Sequence, residues 1–551
     1  METAWTYIKL TWEWMMDNLI YINLILSIII VFFQRRDPKS VWTWLLALYF
    51  IPVFGILFYL FLGQDMRKSK MFRIKEVEDR VSYTIKKQEN YLRSIDFCLT
   101  DPLSRDYGDL VVYNLETSGA VLTTDNIVAI FTDGLEKFED LRAELAKAEH
   151  FIHLQYYIIK NDEVFDSISP ILIERAKAGV EVRILCDGMG GRFMPKSKWR
   201  NLEENGVKVG IFFPPILGRL QLRVNYRNHR KIVVIDNRVG YVGGFNIGRE
   251  YISKDKKFGY WRDTHLKLTG GSVLSLQIRF ALDWNYAARE NLFKDMKYFG
   301  EAQEMEQGVD HGAAHDVGHG VDREVAQDVS QGVNSEAAQD MGQGFEQPMA
   351  HELANEHPIL TDRRNPEGNY LGIQIIASGP DASSRQIRDN YIRLFSKARD
   401  HIYIQTPYFV PDDAVLTSLT VAARSGVDVR LMIPCKPDHP FVYWATYSYV
   451  ADLLEAGARC YTYENGFLHA KGVMTDGRVS SYGTANMDIR SFELNFEVNA
   501  VIYDEATTQR LEEIFLEDLK VCKEITREVY ESRSLMIRIK EQCSRLLSPL
   551  L

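Results

Sequence analysis

The sequence has little cysteine and little excess charge outside one segment. Its six cysteines in 551 residues form no C-x-x-C pair and no metal-ligand spacing, so they are interpreted as ordinary reduced thiols. The net charge of −10 is concentrated between Glu301 and His357, where thirteen acidic residues accompany one arginine. The remaining chain has a net charge of +2 and creates no overall field that would repel an anionic ligand.

The acidic segment also lacks large side chains. It contains one aromatic residue and few large aliphatic ones, so burial cannot offset the entropy lost on ordering. We therefore predict a disordered acidic insert over residues 301–365. Three histidines in it have helical spacing, but the glycines between them argue against a helix, and no metal site is expected.

Two long apolar runs lie near the N-terminus, at Leu19–Phe33 and Val41–Leu62. About 20 apolar residues cross a bilayer, so residues 1–65 are predicted to form a transmembrane hairpin. A cleaved signal peptide is the alternative, but the first run is preceded by a single Lys and followed at once by the second run. The basic residues after the second run predict a juxtamembrane linker at 66–108 and favour a cytoplasmic catalytic body.

The rest of the chain shows an α/β pattern that occurs twice. Phe151 to Ile159 is typical of a strand, Ser167 to Val180 of an amphipathic helix, and EVRILCDG of a second strand. The same order returns between His401 and Pro434. This β-α-β order implies parallel strands in a mixed sheet, and we predict an internal duplication over residues 109–300 and 366–551.

One motif follows each unit. HRKIVVIDNRVGYVGGFN runs from His229 to Asn246, and HAKGVMTDGRVSSYGTAN runs from His469 to Asn486. Each has a His, a Lys two residues later, an Asp five residues after that, and a final Asn behind small residues. The apolar run after each Lys predicts a strand that turns back as a hairpin. A duplicated hairpin with surface His and Lys is the structural alternative.

Strand parity places His229 and Lys231 on one face, and likewise His469 and Lys471. Imidazole and ammonium groups on one face suit an anionic substrate, because Lys supplies positive charge and His can attack or transfer protons. The candidate catalytic residues are those of the two motifs: His229, Lys231, Asp236, His469, Lys471 and Asp476.

The motif aspartates differ from the other candidates. Asp236 and Asp476 stand at the predicted turns and at odd separation from their His. Parity therefore points them away from the reactive face, and we expect them to support the turn.

The two motifs resemble those of the phospholipase D superfamily. The closest similarity is to its bacterial cardiolipin synthases, in FGYWRDTHLKLTG (Phe258 to Gly270), in NMDIRSFELNFEVN (Asn486 to Asn499), in the apolar N-terminal runs and in the closing LLSPLL. The resemblance implies two tandem α/β/α repeats with mixed sheets that meet at one pseudo-twofold site.

The resemblance also implies roles for single residues. It makes His229 the nucleophile and His469 the general acid and base, and it makes Asp263 and Glu497 the acidic residues that orient an imidazole. Asn246 and Asn486, with the lysines, are expected to bind the phosphate oxygens. No metal or cofactor is expected, since the lysines neutralise the phosphate. Thr484 replaces the second Gly of the first motif, and its hydroxyl is a further candidate phosphate donor.

The expected function is a phosphatidyl transfer between two phosphatidylglycerol molecules through a phosphohistidine, at the membrane of a bacterial cell. The expected partners are phosphatidylglycerol and an anionic phospholipid membrane, while the oligomeric state is left open. Alternatives are a hydrolytic phospholipase D, a phosphatidyltransferase with another donor or acceptor, and a membrane scaffold with inactive motifs. A nuclease of the superfamily is disfavoured by the near-neutral body, so no nucleic acid partner is expected.

Overall fold

The computed structural model describes residues 2–33, 38–62, 102–214, 225–299, 364–382, 384–546 and 548. The predicted acidic insert lies outside the described residues except for its last two positions. The predicted basic linker lies outside them up to residue 101.

The N-terminal region is helical. Its helices are α1 (Glu2–Asp17), α2 (Leu19–Ile28), which continues as a π turn (Ile29–Phe33), α3 (Pro38–Phe50) and α4 (Pro52–Leu62). Among the described residues, none of these or any later helix has both the length and the apolar character needed to cross a membrane.

The first half of the body alternates strands and helices. In chain order its elements are α5 (Pro102–Asp106), α6 (Gly108–Ser118), β1 (Ile127–Phe131), α7 (Gly134–Ala146), β2 (Phe151–Tyr156), α8 (Glu163–Lys177), β3 (Glu181–Asp187), α9 (Lys196–Glu204), β4 (Lys208–Phe212), β5 (Arg227–Asn228), β6 (Ile232–Ile235), β7 (Val239–Gly243), β8 (Trp261–Arg262), β9 (His265–Thr269) and α10 (Ser272–Ala288).

The second half repeats this order. Its elements are β10 (Gly372–Ser378), α11 (Gln386–Lys397), β11 (His401–Gln405), β12 (Phe409–Val410), α12 (Asp413–Arg424), β13 (Asp428–Pro434), α13 (Pro440–Glu455), β14 (Arg459–Tyr463), β15 (Phe467–Leu468), β16 (Gly472–Thr475), β17 (Val479–Gly483), β18 (Met487–Asp488), α14 (Ile489–Glu493), β19 (Asn495–Tyr503), α15 (Glu505–Leu519), β20 (Cys522–Glu524), α16 (Arg527–Glu531) and α17 (Leu535–Leu546).

The two halves build mixed sheets of the same topology. The first sheet has the order β1-β9-β7-β6-β2-β3-β4, and the second has β10-β19-β17-β16-β11-β13-β14-β20. Strands β2, β3 and β4 are parallel, as are β11, β13 and β14, and the other pairings within these two strand orders are antiparallel. The α/β class and the duplication predicted from the sequence are confirmed.

A shared apolar core lies between the sheets. It joins Phe212 and Leu266 of the first half to Met432 and Phe496 of the second, and Phe280 of α10 packs in the same cluster. Burial of this kind contributes roughly 25 cal/mol per Å² of apolar surface removed from water. Because both halves supply it, the core fixes one half against the other.

Helix α6 crosses between the halves. The sequence-based division places residues 109 onward in the first repeat, yet Leu110 and Leu115 lie in one buried cluster with Ile376 of β10. The buried Asn114 amide donates to Gln374 and Asn390 at 3.1 and 3.0 Å. The helix therefore covers the outer face of the second sheet, which its position in the chain does not reveal.

Both motif hairpins close in tight left-handed turns. Asp236 and Asn237 have φ of 52° and 53°, and Asp476 and Gly477 have φ of 55° and 63°. Two successive residues with positive φ make the two-residue turn that matches strand twist, and Asn, Asp and Gly tolerate this conformation best. The predicted turns are confirmed at these positions.

His401 forms a bridge beside the second hairpin. Its Nδ1 lies 2.6 Å from Asp400 and its Nε2 2.8 Å from Glu512. Burial alone would lower the pKa of His401, but Glu512 and Asp400 raise it to about 9. The unfolded-state value is about 6.5. The bridge therefore stabilises the fold fully below about pH 6.5, and this contribution is lost as the pH rises through about 9.

We expect His401→Gln to lower the free energy of unfolding by about 1–2 kcal/mol near pH 6 and by much less near pH 10. Thermal unfolding in detergent at both pH values measures the difference. His150→Gln, at the exposed position just before β2, is the control and should match the unsubstituted protein at both. A His401→Gln deficit that is equal at both pH values would contradict the charged bridge.

Candidate active site

Each motif histidine is held by the other half of the protein. Strand β5 pairs in parallel with β19, and the His229 amide donates to the Phe496 carbonyl at 2.9 Å. Strand β15 likewise pairs with β8, and the His469 amide donates to the Arg262 carbonyl at 2.7 Å. The two short pairings cross between the halves, so both motifs come to one place.

The crossing brings an acid from one half to the histidine of the other. His229 Nδ1 lies 3.0 Å from both carboxylate oxygens of Glu497, and His469 Nδ1 lies 2.6 Å from Asp263 Oδ2. A carboxylate only accepts, so each acid favours the tautomer in which Nδ1 carries the proton and Nε2 keeps its lone pair. That tautomer leaves Nε2 free to attack or to take a proton.

The carboxylates are ionised although they are completely buried. Burial alone would raise the pKa of Asp263, but the charge of Lys471 and the hydrogen bond with His469 hold it below its usual value. The pKa of Glu497 is lowered in the same way by His229 and Lys231, again against burial. Both acids can therefore stabilise an imidazolium.

The motif lysines are buried beside the histidines. Lys231 is 0% and Lys471 1% exposed, and each Nζ donates to the carbonyl oxygen of its motif His. Burial lowers the pKa of Lys231 to about 7 and that of Lys471 to about 8, in spite of Glu497 and Asp263. A bound phosphodiester would stabilise the charged form of both lysines and raise their pKa, because an opposite charge nearby favours the ammonium.

The two histidines are neutral in the free site. Burial, with Lys471, lowers the pKa of His469 to about 4, and burial lowers that of His229 as well. The charge of Lys231 acts on His469 and that of Lys471 on His229, so the four groups form one electrostatic unit. A bound phosphodiester would raise the pKa of His469 and favour its acidic form.

The difference between the motifs at Gly244 and Thr484 has a steric cause. A Cβ on Gly244 would lie 1.9 Å from Asp263 Oδ1, so only glycine fits there. Thr484 fits opposite the longer Glu497 and donates its hydroxyl to Glu497 Oε2 at 2.6 Å. The suggestion that Thr484 donates to phosphate is therefore wrong. Its hydroxyl fixes the acid that holds His229.

The motif aspartates lie at the far ends of their strands. Asp236 accepts from the backbone amides of Glu149, His150 and Phe151 at 2.8, 2.9 and 2.7 Å. Asp476 accepts in the same way from three amides at the start of β11. Grouping them with the catalytic residues is not supported by their placement, because the strand separates them from the imidazoles. They tie the hairpin turn to the neighbouring parallel strand.

The motif asparagines are buried near the site. Asn246 accepts from the Ile158 amide and donates to the Tyr251 hydroxyl, both at 3.0 Å. Its amide is thereby occupied with positioning a loop and a tyrosine. Asn486 is 5% exposed, and its Oδ1 has no hydrogen-bond partner among the described residues.

Aromatic residues that the motif pattern did not single out surround the histidines. The Tyr157 ring lies 5.1 Å from His229, and the rings of Trp261 and Tyr251 lie 5.0 and 6.5 Å from His469. Trp261 stands two residues before Asp263 within FGYWRDTHLKLTG, which was the available signal. Tyr157 follows β2 directly, and nothing local distinguishes it.

A buried ion pair stands behind the site. Arg230 donates to Asp283 at 2.5 Å and to the carbonyls of Glu497 and Ser378 at 3.1 and 3.0 Å. Arg230 and the nearby Arg227 are 2% and 4% exposed, so both guanidinium groups are buried in the body. The residues at 215–224 lie outside the described range.

Comparison with solved structures agrees with this architecture. A phosphatidylserine synthase of Haemophilus influenzae superposes with a TM-score of 0.53 at 14% identity, covering 82% of this chain and all of that one. At this identity the likeness concerns the fold alone. Two such repeats around one pair of His-Lys motifs define a protein of the phospholipase D superfamily.

Sequence relatives define the family within that class. Residues 141–259 and 391–519 match the family described as cardiolipin synthase, PLD-like domain, and residues 22–64 match the phospholipase D-nuclease N-terminal family. The major cardiolipin synthase of Bacillus subtilis is 42% identical, covering 96% of this chain and 97% of its own. A cardiolipin synthase of Staphylococcus aureus is 42% identical over 96% and 95%. The chain belongs to the bacterial cardiolipin synthases.

Proposed function

We propose that the protein transfers a phosphatidyl group from one phosphatidylglycerol to another, forming cardiolipin and releasing glycerol. The observation that carries the proposal is the pair of neutral imidazoles, each oriented by an acid from the other half and flanked by a buried lysine. One histidine can then attack while the other handles protons, and the lysines stabilise charge on the phosphate.

The transfer proceeds in two displacements at phosphorus. His229 Nε2 attacks the phosphodiester, the bond to glycerol breaks, and His469 protonates the departing alkoxide. The phosphatidyl group is then held on His229, with Glu497 stabilising the ring. His469 next removes the proton from the hydroxyl of a second phosphatidylglycerol, whose oxygen attacks phosphorus and releases His229.

Purified protein supplied with phosphatidylglycerol alone is expected to produce cardiolipin and glycerol in equal amounts, with little phosphatidic acid. Lipid mass spectrometry with an enzymatic glycerol assay measures all three products. Dominant phosphatidic acid would mean that water is the acceptor and that the protein is a hydrolase. Cardiolipin formed only when another phosphatidyl donor is added would identify a different transferase.

The N-terminal helices are proposed to act as a two-helix membrane hairpin in the bacterial cell membrane, with the catalytic body on the cytoplasmic side. Trp44, Leu48 and Tyr59 pack in a small buried cluster, and the buried Asn23 amide donates to the Leu48 carbonyl at 2.8 Å. Many large apolar side chains of these helices are instead exposed, including Ile20 at 79%. Apolar side chains on the outside and a hydrogen bond between helices on the inside are characteristic of helices that lie in a lipid bilayer.

Deletion of residues 1–62 is expected to release most of the protein from membranes and to lower activity on bilayers more than activity on detergent-dispersed lipid. Membrane flotation and parallel assays in the two lipid formats measure both effects. The control is the full chain with the same purification tag. Unchanged membrane retention together with unchanged activity in both formats would exclude the hairpin as an anchor.

A further inference from the structure

Helix α17 buries two polar side chains and exposes most of its large apolar side chains. Glu541 and Ser544 are 1% and 2% exposed, whereas Leu535 and Leu546 are 74% and 81% exposed. A helix at the surface of a soluble protein normally shows the reverse arrangement. The apolar side of α17 therefore has no apolar partner within the described part of the chain.

The exposed apolar residues form one continuous face. At 100° per residue, they fall within an arc of about 100° on the helix. We call this set the outer face of α17: Leu535, Met536, Ile539, Cys543 and Leu546.

The inner side of α17 is firmly attached to the body. Glu541 accepts two hydrogen bonds from Arg533 at 2.8 and 2.7 Å. Arg545 pairs with Asp452 of α13 at 2.8 Å and donates to the Ser448 carbonyl at 3.2 Å. These polar contacts set the rotation of the helix, so the outer face is presented to the surroundings by the fold.

Positive charge borders the outer face. Lys540 is exposed at one edge, with its ammonium 5.4 Å from the centre of the Trp444 ring, and Arg538 is exposed at the other edge. Apolar side chains edged by basic residues are characteristic of helices that lie in the headgroup region of an anionic bilayer.

The supporting helix leads toward the catalytic site. Helix α13 begins at Pro440, and its next residue, Phe441, is 59% exposed. Two residues before the helix, Asp438 accepts a hydrogen bond from Tyr408, and its charge acts on Lys471. Helix α13 therefore connects the segment that supports α17 to Asp438, whose charge acts on Lys471 of the site.

We propose that the outer face of α17 is a second membrane-contact surface, inserted among the headgroups of an anionic phospholipid bilayer. It is distinct from the N-terminal hairpin, which would tether the chain. The α17 contact would orient the body so that a lipid headgroup reaches the site without leaving the bilayer. The orienting role rests on the proposed lipid substrate. The docking of α17 on the bilayer does not, since it can be measured without turnover.

Depth measurement at Cys543 tests the docking directly. The full chain, with the N-terminal hairpin intact, is labelled with a nitroxide at Cys543 and placed in nanodiscs containing phosphatidylglycerol. Three other cysteines are first replaced by serine: Cys98, Cys435 and Cys522. We expect the label to gain access to oxygen and lose access to a polar nickel reagent, at a depth of about 5–10 Å.

The controls distinguish contact of the outer face of α17 with lipid from its contact with solvent or with a second copy of the protein. The same label at Glu513→Cys, an exposed position on α15, should remain accessible to the polar reagent. Nanodiscs of phosphatidylcholine should give a smaller change at Cys543. A Cys543 label that stays accessible to the polar reagent in anionic nanodiscs would overturn the proposal. Spin coupling between Cys543 labels of two copies, without oxygen access, would instead identify a contact between copies.

Activity gives a second test that does not depend on labelling. The double variant Leu535→Glu, Ile539→Glu is expected to raise the apparent KM for phosphatidylglycerol vesicles by about tenfold, because charged side chains resist entry into the headgroup region. The rate on detergent-dispersed substrate should change by less than about twofold. Val421→Glu, an exposed apolar residue on α12, is the matched control and should change neither. An equal loss in both lipid formats, or none in either, would contradict the docking role.

Failure of the proposed function can be told from failure of this inference. If the protein proves to be a hydrolase, the label at Cys543 is still expected to gain access to oxygen and lose access to the polar reagent. The increase in KM on vesicles is also still expected. If cardiolipin forms normally while the double variant matches the unsubstituted protein on vesicles, only the docking surface is excluded.

Discussion

The His469→Ala variant is expected to lose about 10²–10⁴-fold of its activity on phosphatidylglycerol, because nothing then protonates the glycerol alkoxide. It keeps the nucleophile His229 with its Glu497 partner. It should therefore still react with a nitrophenyl phosphodiester, whose leaving group needs no acid, and accumulate the covalent adduct. His229→Ala should fail with both substrates.

Two measurements decide this assignment. Release of nitrophenol compares the variants on the activated substrate, and peptide mass spectrometry after an acid-free quench locates the phosphatidyl adduct. We expect the adduct on the peptide that contains His229. An adduct on the peptide that contains His469 would exchange the two roles without altering the reaction class. Absence of any adduct from His469→Ala on the activated substrate would contradict a covalent path.

Substitution of the orienting acids is expected to lower activity nearly as much. Each substitution should impair the histidine of the other half of the protein. Asp263→Asn and Glu497→Gln keep the shape of the side chain but can present an amide donor to Nδ1, which favours the wrong tautomer. A loss of about 10²–10⁴-fold is expected for each. Asp263 lies in the first half but holds His469, so Asp263→Asn should be rescued by the nitrophenyl substrate, whereas Glu497→Gln should not.

Asp236→Asn is the matched control for position. Asp236 belongs to a His-Lys-Asp motif but binds the backbone amides at the start of β2, away from both imidazoles. This variant should have a lower thermal unfolding temperature, while the ratio of its rates on the nitrophenyl substrate and on phosphatidylglycerol should be unchanged. If Asp236→Asn were rescued by nitrophenyl substrates while Asp263→Asn were not, the crossed assignment would be wrong.

Features that depend on local chemistry were predictable from the sequence. The period-two and helical patterns predicted the β-α-β units, which appear as β2-α8-β3 and β11-α12-β13. The residue pairs Asp236-Asn237 and Asp476-Gly477 predicted hairpin turns because few other residues accept positive φ. The two His-Lys motifs also indicated a reactive site for an anionic substrate, since their chemistry is contained within three residues, and the family resemblance implied that the anion is a phosphodiester.

Features that depend on distant partners were decided by the tertiary structure. His229 and Glu497 are 268 residues apart, and His469 and Asp263 are 206 apart, so no local pattern tells which acid serves which imidazole. The same holds for the burial of Arg230 against Asp283.

The sequence alone also did not predict which side of α17 is exposed. Its helical periodicity is visible in the sequence, but periodicity does not state which side meets the body. Ion pairs to Arg533 and Asp452 settled that side, because a buried carboxylate is tolerated only where a partner neutralises it. The sequence by itself determined the repeats, the turns and the reactive groups, whereas packing between the halves determined how those groups are paired, since that pairing joins residues hundreds of positions apart.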